Sequence, residues 1–287
     1  MKKLLTLLLT LVFALGACFG LAACGGSDEE EAESTKFTGF DIELARKVVA
    51  YLNEEYDAKI KVQFQEIDWD SKEALLANGT IDLVWNGMTI TPARAEEMCI
   101  SIPYLYNKQV AVVRAADKNI YTTVESFANA NLGAESGSAG EEVISTLNKK
   151  EYISSKSQLD ALTALNNGSI DVAVIDSVMA GYYTSTGTYK GKLVMVDGVV
   201  LAQEEYGIAA KKENQALISK INDALIALCE TDYAAVAEDF GLTSSCCVTT
   251  ETVNPLASAN DNSWNKIVES KTLIIGYTVF APIAYTI

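Results

Sequence analysis

The stretch Leu76-Ala77-Asn78-Gly79-Thr80-Ile81-Asp82-Leu83 returns 89 residues later as Leu165-Asn166-Asn167-Gly168-Ser169-Ile170-Asp171-Val172. In each copy a helical stretch ends at Asn-Gly, where glycine can adopt the left-handed conformation that closes a helix. A short apolar strand comes immediately after. Helix, glycine stop and strand, used twice, restrict the fold strongly, because alternating helices and apolar strands build α/β lobes with mostly parallel sheets. The echo implies two lobes of similar build. Carrying the offset forward pairs Gly87 with Asp176, each at the carboxyl end of its strand. Ligands in open α/β sheets sit off those ends, so two facing sheets would aim both positions into one cleft.

The residues after each strand carry chemistry. Ile81 to Trp85 reads as an apolar strand that enters a tight polar turn and then a helix, with Thr91 as N-cap and Pro92 at the first helical position. Arg94 falls in the first turn, where a guanidinium beside unpaired backbone N–H groups suits a carboxylate. The plainer reading of Arg94 is an exposed ion pair with Glu96 or Glu97, a common and weak arrangement. The plainer reading of Trp69 and Trp85 is core packing. In the second half, Gly137-Ser138-Ala139-Gly140-Glu141 opens a helix, and Ser138 with Glu141 fits a capping box. The glycines of that turn allow close backbone approach, so its amides can face an anion. Asp176 precedes a helix over Ser177 to Tyr183; a simple N-cap role there leaves a carboxylate lone pair free.

Composition narrows the function. Thirty-eight acidic against 22 basic residues give a net charge of −16, which argues against nucleic acid and anionic membrane surfaces as partners. Histidine is absent, so no histidine triad, histidine base or histidine zinc ligand exists in this sequence. Neither a metal site nor a cofactor is called for. Cys99 and Cys229 stand in apolar contexts and read as buried thiols; Cys246-Cys247 is a vicinal pair from which no pairing can be inferred. Residues 1–23 read as a signal peptide, with Lys2 and Lys3 before the uncharged stretch Leu4 to Ala23. Leu21-Ala22-Ala23-Cys24 resembles a lipobox and is preferred over Leu15-Gly16-Ala17-Cys18, because Gly25-Gly26-Ser27 and the acidic run Asp28 to Glu31 form a solvated tether, residues 24–36. Cys24 is then the lipidation site. The alternative is an uncleaved span. In both readings the body lies outside the cytoplasmic membrane, held to its outer face.

Ile67-Asp68-Trp69-Asp70, Trp85-Asn86-Gly87-Met88-Thr89-Ile90-Thr91 and Arg94 together resemble the signature of bacterial extracellular solute-binding proteins of family 3, the polar amino-acid-binding components of ABC importers. The resemblance implies a two-lobed α/β periplasmic-binding-protein fold of type II (a Venus flytrap). It implies that Arg94 clamps a ligand's α-carboxylate with the Thr89 amide and the Ser138-Ala139 turn. Asp176, the Gly87 carbonyl and the Thr89 hydroxyl would hold the α-ammonium, and Phe280 and Trp69 would wall the side chain. Many relatives carry an Asp just before the aromatic of an aromatic-x-Pro turn, where it meets a basic side chain. Tyr277 or Thr278 stands there here, which favours a neutral polar ligand such as glutamine or cystine, although Glu135 or Glu205 could replace that acid.

Element order departs from the family. Its opening helix and strand match Trp264 to Glu269 and Leu273 to Pro282, at the end of this sequence, while the Gly39-Phe40-Asp41 helix comes first. This reads as a circular permutation. Lobe 1 is then 37–110 plus 204–242 plus 264–287, lobe 2 is 111–203, and 243–263 joins the usual termini. A truncated second copy would leave lobe 1 without a central strand, exposing edges and core. Crossover strands near Gln109 to Val113 and Val200 to Tyr206 form the hinge, and Lys211 to Cys229 is a packing helix. The expected partners are a small amino acid, a membrane ABC permease and the membrane through the lipid anchor; the expected state is a monomer without enzymatic activity. The competing functions are a ligand-sensing module for a membrane receptor and a prephenate or arogenate dehydratase of the same fold.

Overall fold

The computed structural model describes residues 37–286. The expected signal peptide, the expected lipidation site at Cys24 and the expected tether lie outside the described residues. In chain order the elements are β1 (Phe37–Thr38), α1 (Phe40–Tyr56), β2 (Lys61–Glu66), α2 (Lys72–Asn78), β3 (Leu83–Thr89), α3 (Pro92–Glu97), β4 (Met98–Ile100) and β5 (Leu105–Arg114). Next come β6 (Asn131–Glu135), α4 (Ala139–Thr146), β7 (Glu151–Ser155), α5 (Gln158–Asn167), β8 (Val172–Asp176), α6 (Ser177–Ser185) and β9 (Leu193–Lys211). The chain ends with α7 (Gln215–Leu228), α8 (Asp232–Asp239), α9 (Ser263–Ser270), β10 (Thr272–Tyr277) and β11 (Tyr285–Thr286).

The two halves of the echo fold into the same turn. Gly79 closes α2 at φ 76° and Gly168 closes α5 at φ 86°. Asn78 Oδ1 accepts from the Thr80 amide and hydroxyl at 2.9 and 2.6 Å; Asn167 Oδ1 accepts from the same two groups of Ser169 at 3.1 and 2.7 Å. Each asparagine thus pins the first residue after the glycine and sets the course of the next strand.

Nine strands form one sheet in the order β2, β10, β3, β9, β5, β8, β6, β7, with β4 also paired to β9. The two lobes therefore share a continuous sheet instead of carrying separate facing ones. The reason is length: β9 runs for 19 residues, about 60 Å at the usual rise per residue. It pairs antiparallel with β3 toward one end and with β5 along most of its course. Register shifts around Gln109 and Val110 bend this β5–β9 pair, where the chain crosses between lobes. β10 lies between β2 and β3, parallel to both, and buries Leu273 and Ile275. Residues 243–262 run across α7: Asn254 donates to the Ser219 carbonyl and Asp223, and Asp261 accepts from the Ala216 amide.

β3 continues to Thr89 instead of stopping at Trp85, and all seven of its residues are buried. The polar segment expected to be a free turn is a bulge inside the strand, with a register shift between Val84 and Met88. Gly87 sits in the bulge at φ 60°. A Cβ there would lie 2.8 Å from the Phe280 ring and 3.0 Å from the Tyr206 ring, so only glycine lets β3 bend without displacing either aromatic.

Candidate ligand-binding cleft

A narrow cleft lies between the lobes. Trp69, Gly87, Thr89, Arg94 and Phe280 face it from lobe 1; Ser138, Ala139 and Asp176 face it from lobe 2. All eight binding residues inferred from the sequence therefore meet in one place. Asn86, Thr278, Glu135 and Gln158 complete the wall. Among the described residues, no group of three or more His, Cys, Asp or Glu is gathered for a metal ion.

On the lobe 1 side, Thr91 Oγ1 accepts from the Arg94 amide at 3.2 Å and Pro92 occupies the first turn of α3. This fixes where Arg94 leaves the backbone. Its side chain is 7% exposed and turns inward, so the surface pair with Glu96 or Glu97 does not form. Nη1 donates to the Thr89 carbonyl at 2.9 Å, and Nη2 donates across the cleft to the Gly137 carbonyl at 3.0 Å. Glu142 stands 3.6 Å from Nη2. A guanidinium carries five N–H groups, so donors remain for a ligand.

Gly87 is held from behind. Its N–H lies 2.7 Å from Asp41 Oδ2 and 3.2 Å from Tyr104 Oη, and the Tyr104 hydroxyl donates to Asp41 at 2.8 Å. Asp41 belongs to α1 and is fully buried; burial pushes its carboxyl up to about 7 against the lowering effect of those two bonds. Thr278, not Tyr277, reaches the cleft and accepts from Asn86 Nδ2 at 3.1 Å. Tyr277 instead packs on Phe37 at 4.2 Å between ring centroids.

Lobe 2 departs from the expected caps twice. Ser138 Oγ accepts from the Glu141 amide at 3.2 Å, but Glu141 returns its carboxylate to the Gly137 amide at 2.6 Å. The Ser138 amide is already directed at the Glu135 carbonyl, 3.3 Å away, so the box closes one residue early. Ala139 then presents the first helical amide, which has no acceptor within its own helix. Asp176 occupies the N-cap position of α6 without using its side chain as a cap. Asn107 takes that role, accepting from the Ser177 hydroxyl at 2.9 Å and the Val178 amide at 3.4 Å. The Asp176 carboxyl is thereby released toward the cleft. Its Oδ1 accepts from Asn107 and Gln109 at 2.5 and 2.7 Å, and its Oδ2 from Gln158. Burial, then the charge of Glu204, hold it well above the usual carboxylate range.

Glu135 ends β6 and is 4% exposed. Its Oε1 is buried with no hydrogen-bond partner among the described residues, as is Asn86 Oδ1. Burial pushes the Glu135 carboxyl up to about 8, with Lys72 opposing and Asp160 and Asp70 reinforcing the rise. Lys72, which sequence reasoning missed, is buried beside it. Its Nζ donates to the carbonyls of Trp69 at 3.1 Å and Gly137 at 3.2 Å, and pairs with Glu73 at 3.1 Å. Burial and the Arg94 charge hold its ammonium below the ordinary lysine value. A lysine three residues after Trp69 and four before Leu76 lies on the helix face that packs inward, which was the available signal. Neither Glu204 nor Glu205 lines the cleft: strand alternation turns Glu204 toward Asn107 and leaves Glu205 near Cys247.

Residues 29–242 match the family model for bacterial extracellular solute-binding proteins, family 3. ABC transporter arginine-binding protein 1 of Escherichia coli is 29% identical over 238 residues, spanning 79% of this chain and 93% of that protein. A probable histidine-binding protein of Neisseria gonorrhoeae is 31% identical over 193 residues, 65% of this chain and 68% of its own length. The structure of an ABC uptake transporter substrate-binding protein from Streptococcus pneumoniae with bound histidine superposes with a TM-score of 0.64 at 33% identity, covering 72% of this chain and 85% of that one.

Proposed function

The chain belongs to the bacterial extracellular solute-binding proteins of family 3 and has their two-lobed periplasmic-binding-protein fold; from this we propose that it captures a polar L-amino acid for an ABC permease. One observation carries the reading. Arg94 from lobe 1 and Asp176 from lobe 2 line the same cleft, together with Trp69 and Phe280. An amino acid brings one anion and one cation at fixed separation, and such a site offers the opposite charge to each. Arg94, with the Thr89 and Ala139 amides, takes the α-carboxylate. Asp176, the Gly87 carbonyl and the Thr89 hydroxyl take the α-ammonium. Closing the lobes removes water and strengthens both charge-assisted bonds. It also converts binding into a shape that a permease can recognise.

The side chain of the ligand runs toward Glu135 and Asn86. Both offer buried acceptor oxygens without donors, and leaving such atoms unpaired is costly. This supports a side chain ending in N–H groups: the amide of glutamine, the second ammonium of cystine or the guanidinium of arginine. A thermal-shift screen of the common amino acids and cystine tests the assignment. Stabilisation by members of this class, and none by leucine or aspartate, is the expected pattern; a flat screen overturns it.

Two further features belong to the same reading. The family match ends at residue 242, yet β10 completes the lobe 1 sheet from beyond it, which supports a circular permutation. A variant with residues 264–286 moved ahead of residue 37 and the joint re-formed there should fold and keep its ligand. Cys24 is the inferred lipid attachment point; fatty-acid labelling of the wild-type protein, lost in Cys24→Ser, is the check.

A further inference from the structure

β5 lies between β8 and β9 and brings two carboxylates together. Gln109 is in register with Asp176 on β8, and Asn107 with Glu204 on β9. Both amides bridge the pair. Asn107 Nδ2 lies 2.5 Å from Asp176 Oδ1 and 2.5 Å from Glu204 Oε1; Gln109 Nε2 lies 2.7 and 2.9 Å from the same two oxygens. An amide NH₂ has two N–H groups, so each amide spends both on these carboxylates. The other groups facing Asp176 are Gln158 from α5 and the Tyr206 phenol on β9, while the Ser177 hydroxyl on α6 donates to Asn107. Arg94 and Glu135 line the cleft beyond. Among the described residues, neither Asp176 nor Glu204 makes an ion pair with a lysine or arginine of the chain; both Asp176 oxygens and Glu204 Oε1 accept from neutral amides.

Two carboxylates held on the same amide donors, Asp176 buried and Glu204 half-buried, cannot both stay ionised at small cost without a cation beside them, and such pairs keep a proton between them. We propose that Glu204 is a positioning residue of the ammonium site that acts by sharing one proton with Asp176, and that the α-ammonium of a bound amino acid expels it. This rests on the binding function proposed above. The balance is simple: the O–H bond of the shared acid breaks, the proton passes to solvent, and the incoming N–H groups take its place against two carboxylates. Glu204 lies on β9 and the bridging amides on β5, the two strands that cross between the lobes, so the proton leaves beside the hinge. The burial of Asp176 and the adjacent Glu204 charge already raise its carboxyl, in the direction the pair requires.

Calorimetric titration of the full protein with L-glutamine and L-arginine at neutral pH, in buffers of different ionisation enthalpy, counts the protons. The expected result is close to one proton released per ligand, with affinity rising as pH rises toward neutrality. In Glu204→Gln the count falls to near zero and the pH slope of affinity is lost. Binding without release in the wild type, or equal release in both proteins, overturns the proposal and leaves the binding function standing. A ligand-free readout covers the converse. The infrared spectrum of the wild type at neutral pH should hold a protonated carboxyl C=O band that Glu204→Gln lacks. If that band differs while neither amino acid gives heat, the ligand assignment fails and the shared proton stands. If the band is the same in both proteins, the proposal falls.

Discussion

The turn at Gly79 and the turn at Gly168 are the same turn, yet the strands they launch end differently. After Gly168, β8 runs five residues and stops at Asp176, whose carboxyl faces the cleft. After Gly79, β3 runs seven residues, bends at Gly87, and hands the chain to the Thr91 cap and Arg94. One helix–turn–strand unit, used twice, delivers an anion from one lobe and a cation from the other. The charge belongs to residues at or beyond the strand's end, and the unit only sets their position. The bulge at Gly87 makes the difference, because it turns an otherwise equivalent strand into one that also presents a bent backbone beside the Phe280 ring.

If the two ends of the unit grip one ligand, removing either charge should have a similar and large effect. Truncating one member of a buried charge pair commonly costs about 2–5 kcal/mol. Arg94→Ala and Asp176→Asn should each weaken binding of the amino acid found by screening by that amount, as read by calorimetry. Arg94→Lys should fall well short of wild type, since an ammonium lacks the planar fork that holds Thr89, Gly137 and a carboxylate together. A large loss in one variant and almost none in the other would break the symmetry. Gly87→Ala tests the bulge itself. Left-handed backbone costs about 1–2 kcal/mol for an L-residue and overpacking about 1–3 kcal/mol, so chemical denaturation should show the larger part of that sum lost.

Each lobe also buries an acid next to the cleft: Asp41 behind Gly87, raised to about 7, and Glu135 at the end of β6, raised to about 8. A raised native value means that the folded protein binds more protons than the unfolded chain. Stability is therefore full below the unfolded values of 3.8 and 4.5 and falls as pH rises through about 7 for Asp41 and about 8 for Glu135. Denaturation at pH 5 and pH 8.5 should find the protein more stable at the lower value. Asp41→Asn should flatten the slope mainly below pH 7, and Glu135→Gln should flatten it up to pH 8. Equal stability at both pH values in the wild type would show that neither acid is as desolvated as its surroundings require.

Much of the cleft was legible in the sequence because its signals are local. Thr91-Pro92 marks a helix start, Asn-Gly a helix stop, and Arg94 and Asp176 stand at fixed distances from them. The illegible part depends on pairing between remote segments. Asn86 meets Thr278 across 192 positions, and Lys72 meets Gly137 across 65. Glu204 and Glu205 cannot be told apart until the register of β9 on β5 says which faces Asp176. The Gly87 bulge was hidden for a related reason: polar residues after an apolar run look like a turn unless tertiary packing buries them, as it does Asn86 and Thr89. Asp176 read as a cap because nothing nearby in sequence announces that Asn107 will cap α6 instead.

The finest difference to probe concerns the turns, which should be interchangeable. Gly79 and Gly168 both have positive φ, and an added Cβ would meet nothing within 4 Å at either. Only the conformational term remains, about 1 kcal/mol for alanine in left-handed backbone. Gly79→Ala and Gly168→Ala should therefore lose equal stability by chemical denaturation, and the double variant should lose the sum, since the two turns share no partners. Neither should alter ligand affinity beyond the effect of lower stability, because each asparagine side chain still pins its Thr80 or Ser169. Unequal losses would mean that the turns differ in the unfolded chain or in their strands. The equivalence would then end at the glycine, several residues before Gly87 and Asp176 diverge.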